Sequence, residues 1–136
     1  MAQLERLDEL RAGRARAAAS YQRALGGVDA VRLPAAGPDE EVDWFVYVVR
    51  LDEDLDRERL MAFLAERGVA SRPYFNPLHL QPLYRERLGH GPGDFPVTER
   101  IAATTLALPW SPLLPDDDIE YVAEALIAGI REQSGG

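Results

Sequence analysis

Neither cysteine nor lysine occurs in the 136 residues. Without cysteine there are no disulfides, no thiolate nucleophile and no Cys-ligated zinc, a composition that fits a reducing compartment. Without lysine, all 15 basic residues are arginine, a group that stays charged at every accessible pH and does not act as an amine nucleophile. Chemistry through a lysine Schiff base is closed to these side chains. A source bias toward arginine and alanine would give the same composition and the same chemical consequence.

Long apolar runs are missing as well. None approaches the ~20 residues of a membrane span, and the opening "MAQLERLDELRAGR" is charged throughout, without the apolar centre of a secretion signal. The cytoplasm is the expected location, with no membrane partner. The net charge of -8, with no dense stripe of arginine, argues against nucleic acid. At 15.1 kDa the chain should expose about 7,100 Å² folded against about 21,900 Å² unfolded. One domain with a real core is therefore expected.

Periodicity divides the chain into alternating elements. Residues 3 to 25 read as a long helix with Leu4, Leu7, Leu10, Ala18, Tyr21 and Leu25 near one stripe, broken by Arg14 and Arg16 and ended by Gly26 and Gly27. Such a helix is about as long as a domain this size is wide, so it either braces the domain or connects to something else. "RLPAAGPDEEVD" reads as a loop. "WFVYVVRL", Trp44 to Leu51, is apolar on both faces, as an interior strand covered on two sides would be. "DEDLD" then offers N-caps to a helix carrying Leu60, Phe63 and Leu64 and closed by Gly68. With "VASRPYF" as the next strand, this is a strand–helix–strand crossover if both strands share a sheet.

Residues 82 to 88 predict a short helix, and Pro96 opens another of about two turns using Val97 and Ile101. "TLALP" is a third strand. In the last helix Ile119, Val122, Ala123, Leu126, Ile127 and Ile130 share one face, and Asp116, Asp117 and Asp118 suit its first turn. The fold class is α/β: a small, roughly three-stranded mixed sheet packed with helices.

The stretch "SRPYFNPLHLQPLY", Ser71 to Tyr84, concentrates the polar recognition groups. Residues before proline are pushed to extended conformations. A run from 72 to 77 would then alternate, with Arg72, Tyr74 and Asn76 on a presenting side and Pro73, Phe75 and Pro77 anchoring the other. Arg72 suits a carboxylate or phosphate, Tyr74 and Asn76 suit hydroxyls, and His79 suits hydrogen bonding or proton transfer. The alternative is a strand leaving its sheet, with Arg72 on a surface carboxylate and His79 on a backbone carbonyl. His79, His90 and Asp94 lack the spacing of any regular metal motif. "GHGPGD" is not a phosphate loop, and no serine has a nucleophile-elbow context.

The order of parts resembles a known family. "GVASRPYFNPLHLQPLY" followed by "DFPVTERIAATTLALPWSPLLPDDDIEYVAEAL" looks like the C-terminal small domain of the DegT/DnrJ/EryC1/StrS aminotransferases, the pyridoxal-phosphate (PLP) enzymes that aminate nucleotide-linked keto sugars. "QLERLDELRAGRARAAASYQRAL" is similar to their interdomain helix and "WFVYVVRLDE" to their first small-domain strand. The wording "RPYFNPLHLQP" most resembles the perosamine-synthase type. The resemblance implies an interdomain-type helix over 1–27, a small domain over 28–136 of the fold type I transferase fold, and an absent large domain that would carry the cofactor and its lysine. This chain by itself is then expected to hold no cofactor and not to transaminate. Arg72, Tyr74, Asn76 and His79 become substrate-side candidates, with Trp44 a possible wall. The implied partners are the missing large domain or a second copy, through an exposed apolar patch, and a nucleotide sugar in the complete enzyme. A stand-alone interaction module derived from that domain is the alternative.

Overall fold

The structure, a computed structural model, describes residues 2–40 and 42–135. Met1 and Gly136, the ends of the two expected segments, and Glu41 of the expected acidic loop lie outside the described residues. The elements are α1 (Ala2–Glu5), α2 (Leu7–Leu25), β1 (Val31–Arg32), β2 (Val48–Leu51), α3 (Arg57–Glu66), β3 (Arg72–Pro73), a 3-10 turn at Leu78–Leu80, α4 (Pro82–Leu88), α5 (Pro96–Thr104), β4 (Thr105–Ala107) and α6 (Asp116–Ser134).

The α/β class holds, and the sheet differs from expectation in strand number and pairing. It has four strands in the order β1-β2-β4-β3, and every neighbouring pair is antiparallel. β1 is two residues long, too short to carry a readable period. β2 and β3 run the same way across the α3 crossover, and β4 fills the position between them, so the two parallel strands never pair.

Directly opposed residues of an antiparallel pair share a face. Val31, Val49, Leu51 and Leu106 lie on the core face and are buried. The opposite face carries Arg32, Arg50 and Thr105 in one row and Val48, Ala107 and Arg72 in the next. β2 is therefore interior in the sheet, yet its outer residues Val46 and Val48 are only half-buried. It is also shorter than the sequence suggests: pairing starts at Val48, preceded by one bond from Leu108 N to the Tyr47 carbonyl at 3.0 Å.

Helices α2, α3 and α6 cover the core face, with α6 packed against both of the others. The expected stripe of α6 is buried at Ile119, Val122, Ala123, Leu126 and Ile130, and Ile127 packs half-buried against the same core. Gly129 is where α6 meets α3: a Cβ there would stand 2.6 Å from Leu60 Cδ1. In α3, Asp56 caps the helix by accepting from Arg59 N at 3.0 Å, as its acidic approach predicts.

The long N-terminal helix is interrupted at Arg6, whose guanidinium forks onto Glu9 at 2.8 and 2.7 Å. Only the second half of α2 is in the core, through Ala17, Ala18, Ser20, Tyr21 and Leu25, while Leu4 and Leu7 are exposed. The two arginines that break its stripe act as ties. Arg14 reaches Asp43 at 3.7 Å, and Arg16 donates to the Leu114 carbonyl at 2.7 Å and to Asp116. Ser20 also donates to Asp116 at 2.7 Å; that bond, with Arg16 alongside, holds the carboxyl below its usual range.

Candidate functional site

β3 is an edge strand, and the chain leaves it immediately after Pro73. Phe75 adopts φ 53°, a left-handed conformation that costs a non-glycine residue on the order of 1–3 kcal/mol. This turn ends the predicted alternation. Phe75 is 74% exposed rather than anchored, with its ring 4.6 Å from that of Tyr74. Pro73 and Pro77 are half-buried.

Beside the turn lies an open groove of about 990 Å³, lined by Ser71, Arg72, Tyr74 and Asn76 on one side and by Phe45, Val46 and Trp110 on the other. Three of the five candidate residues therefore converge on one surface. Its chemistry is mixed: apolar and aromatic walls, one guanidinium, a carboxamide and a phenol. Among the described residues Arg72 makes no ion pair, and the buried Ser71 Oγ has no hydrogen-bond partner. Polar groups left unsatisfied by the fold beside aromatic walls are the usual composition of a ligand surface.

Trp44 does not line this groove. Its ring tilts against Tyr47 at 5.8 Å, and its carbonyl accepts from Trp110 Nε1 at 3.3 Å. Trp110 is the tryptophan at the groove wall. It stacks on Tyr47 at 5.6 Å, which in turn stacks on Tyr21 at 4.7 Å. The aromatic column thus runs from the groove into the core. Burial pushes the phenols of Tyr21 and Tyr47 well above their ordinary value, and both remain neutral.

His79 also lies apart from the groove, engaged on neither a backbone carbonyl nor a free surface. Its Nε2 meets Glu99 Oε1 at 2.9 Å. Glu99 is the centre of a loop-organising cluster: both of its oxygens accept from Gly93 N at 2.9 Å, and Oε1 accepts from Phe95 N at 3.3 Å. The Phe95 ring sits 4.7 Å from His79 and 5.0 Å from His90, and His90 Nδ1 lies 3.2 Å from Asp94 Oδ2. The Gly93 N–H, then His79, hold the Glu99 carboxyl below its ordinary value; the Gly91 N–H, then His90, do the same for Asp94. Among the described residues no three His, Asp or Glu side chains are grouped to hold a metal. Sequence reading passes over Glu99 as a hub and Trp110 as a wall. The local signal for Glu99 is an acid in the first turn of a helix opened by Pro96, where backbone N–H groups are free.

The model of the DegT/DnrJ/EryC1/StrS aminotransferase family matches residues 1–127, and the chain belongs to that family. It is 35% identical over 127 residues to the erythromycin biosynthesis sensory transduction protein EryC1 of Saccharopolyspora erythraea, a match covering 93% of this chain and 34% of that protein. Among solved structures, the aminotransferase TlmJ of Streptoalloteichus hindustanus superposes with a TM-score of 0.84 at 33% identity, over 96% of this chain and 34% of that one. Spr1654 of Streptococcus pneumoniae, solved in a PLP form, shares the fold with a TM-score of 0.88 at 23% identity, over 97% of this chain and 34% of that one. The chain spans about a third of the length of the relatives it matches. No helix among the described residues is long and apolar enough to cross a membrane.

Proposed function

We propose that this chain forms the substrate-side wall of a PLP-dependent nucleotide-sugar aminotransferase and works only together with the two thirds of the enzyme that its sequence does not contain. Arg72, Tyr74 and Asn76 would contact polar groups of the substrate, with Trp110 and Phe45 as apolar walls. His79 would act at one remove, by fixing the loop through Glu99. The exposed start of α2 and the preceding α1, at Leu4 and Leu7, would pack against the remaining domain.

The observation that carries this reading is surface. The chain exposes 9053 Å², against the about 7,100 Å² expected of a compact monomer of its mass. The excess, about 1,900 Å², is larger than one side of a standard protein interface. One segment of the sequence is rich in such surface: of the large hydrophobic side chains left exposed, Phe75, Leu78, Leu83, Tyr84, Leu88, Phe95, Val97 and Ile101 all fall within 27 residues.

The residues present do not fit a PLP anchor. PLP supplies carbanion stabilisation only where protein groups hold it, and there is no lysine here to form the imine. Two measurements test the reading. Incubated alone with PLP and then borohydride, the chain should acquire no reduced adduct at any side chain by mass spectrometry. Fused behind the first two thirds of the aminotransferase TlmJ, it should restore PLP binding and the amino-donor half-reaction. A fixed adduct on a side chain of the isolated protein, or a well-folded fusion that binds PLP but shows no half-reaction, would sink the proposal.

A further inference from the structure

The outer sheet face holds a second feature that shares no lining residue with the groove. Arg32 and Arg50 are directly opposed in the β1–β2 register. Like charges directly opposite each other on one face destabilise a sheet. Together with Arg100 of α5 they line a depression of about 280 Å³, whose acidic lining residues are Asp52 and Glu53. Glu53 is engaged with Arg100, 3.7 Å away. Among the described residues neither Arg32 nor Arg50 forms an ion pair or a side-chain hydrogen bond. Three arginines against two carboxylates thus converge on one small concavity of a chain whose net charge is -8.

We propose that this depression binds a phosphate-class dianion, held by the guanidinium forks of Arg32 and Arg50, with Arg100 turning from Glu53 to close the third side. Arginine forks match tetrahedral oxyanions in a bidentate manner. A bound dianion would also convert the opposed pair from a repulsive contact into a bridged one. The concavity is too small for a folded partner. It accommodates inorganic phosphate or the terminal phosphoryl group of a larger molecule. The proposal does not depend on the aminotransferase reading, because the groove plays no part in it.

The test is a titration of the chain with inorganic phosphate at pH 7.5, at ionic strength held constant with sodium chloride and followed by NMR of the arginine Nε–Hε groups. Saturable shifts are expected at Arg32, Arg50 and Arg100 but not at Arg87, an exposed arginine of α4 that lines neither the depression nor the groove, with a matching rise in the unfolding midpoint. Arg50→Gln should weaken binding at least tenfold and, without phosphate, leave the protein as stable as the parent or more so, because the like-charge contact is gone. Arg32→Gln should behave the same way, and Arg87→Gln should change neither result. A parallel titration with pyrophosphate separates the two sources: tighter binding than phosphate indicates a phosphoryl group of a larger ligand, and equal or weaker binding indicates the free ion. The proposal is overturned by shifts that chloride reproduces, by shifts that do not saturate, by unchanged binding in both arginine variants, or by both variants being less stable than the parent without phosphate.

Discussion

Helices α6 and α4 belong to the same chain and obey different rules. α6 buries seven of its 19 residues, and its apolar positions recur at helical spacing over its whole length. α4 buries none of its seven, although Leu83, Tyr84 and Leu88 make it as apolar as many core helices. α5 repeats the contrast, since Val97 and Ile101 form the expected stripe and both are exposed. Helical periodicity reports that a face is to be covered; it does not say by what. Around α6 the cover is α2, α3 and the sheet, whereas the described residues leave the apolar side chains of α4 and α5 without one.

The widest gap between the two regions should appear on truncation. Leu126 is fully buried, and Leu126→Ala should cost about 2–5 kcal/mol of unfolding free energy. Leu88 is 61% exposed, and Leu88→Ala should stay within about 0.5 kcal/mol. Urea unfolding of both variants checks the pair. A costly Leu88→Ala would mean that α4 has a cover within this chain after all.

Gly129 sharpens the same contrast. Its absent side chain lets α6 approach α3, where a Cβ would lie 2.6 Å from Leu60 Cδ1 and 2.8 Å from Phe63 Cδ1. Leu60 is fully buried, so a methyl group at 129 would press on a core side chain. Gly129→Ala gains up to about 1 kcal/mol in helix propensity but overpacks a filled site, typically about 1–3 kcal/mol. With the full propensity gain subtracted, a net loss of up to about 2 kcal/mol is expected in urea unfolding, against the gain that an exposed helical glycine would give.

Arg72 should show the reverse signature. It is exposed and unpaired among the described residues, so Arg72→Ala should leave stability unchanged within about 0.5 kcal/mol. In the completed enzyme, loss of a charge-assisted contact should raise KM for a nucleotide sugar about tenfold, equivalent to about 1.4 kcal/mol. Steady-state kinetics of the fusion protein measures it. An unchanged KM removes Arg72 from the substrate wall.

What the sequence made legible follows the same division. The face of α6, the cap at Asp56 and the glycine after α3 were readable because each depends on residues a few positions apart. Strand β1 was not, since two residues have no period, and Val31 and Arg32 become a strand through pairing with β2. The anchoring role expected of Phe75 failed because a single left-handed residue reverses the alternation, and nothing in "PYFNP" announces it. Arg72, Tyr74 and Asn76 were found as a local run that faces one groove. Trp110 was missed because it reaches that groove from 34 positions beyond Asn76. The partner of His79 was missed for the same reason, Glu99 being 20 residues away.

That last pair decides how the uncovered region keeps a shape without a core. Glu99 draws Gly93, Phe95 and His79 onto one carboxylate, and these contacts hold its proton affinity down in the folded protein. A carboxyl whose folded value is lowered contributes stability that is present above the ordinary carboxylate range and is lost as pH falls through the folded value. At pH 7, Glu99→Gln should therefore speed amide exchange at Gly93 and Phe95 while exchange in α6 stays unchanged. As pH falls through the parent's folded value, which lies below the ordinary carboxylate range, its own carboxylate becomes protonated, and the difference between parent and variant should shrink. If the variant matches the parent at pH 7, the loop is ordered by something other than this carboxylate. If exchange in α6 rises with it, the two regions unfold as one and the contrast drawn between α6 and α4 fails.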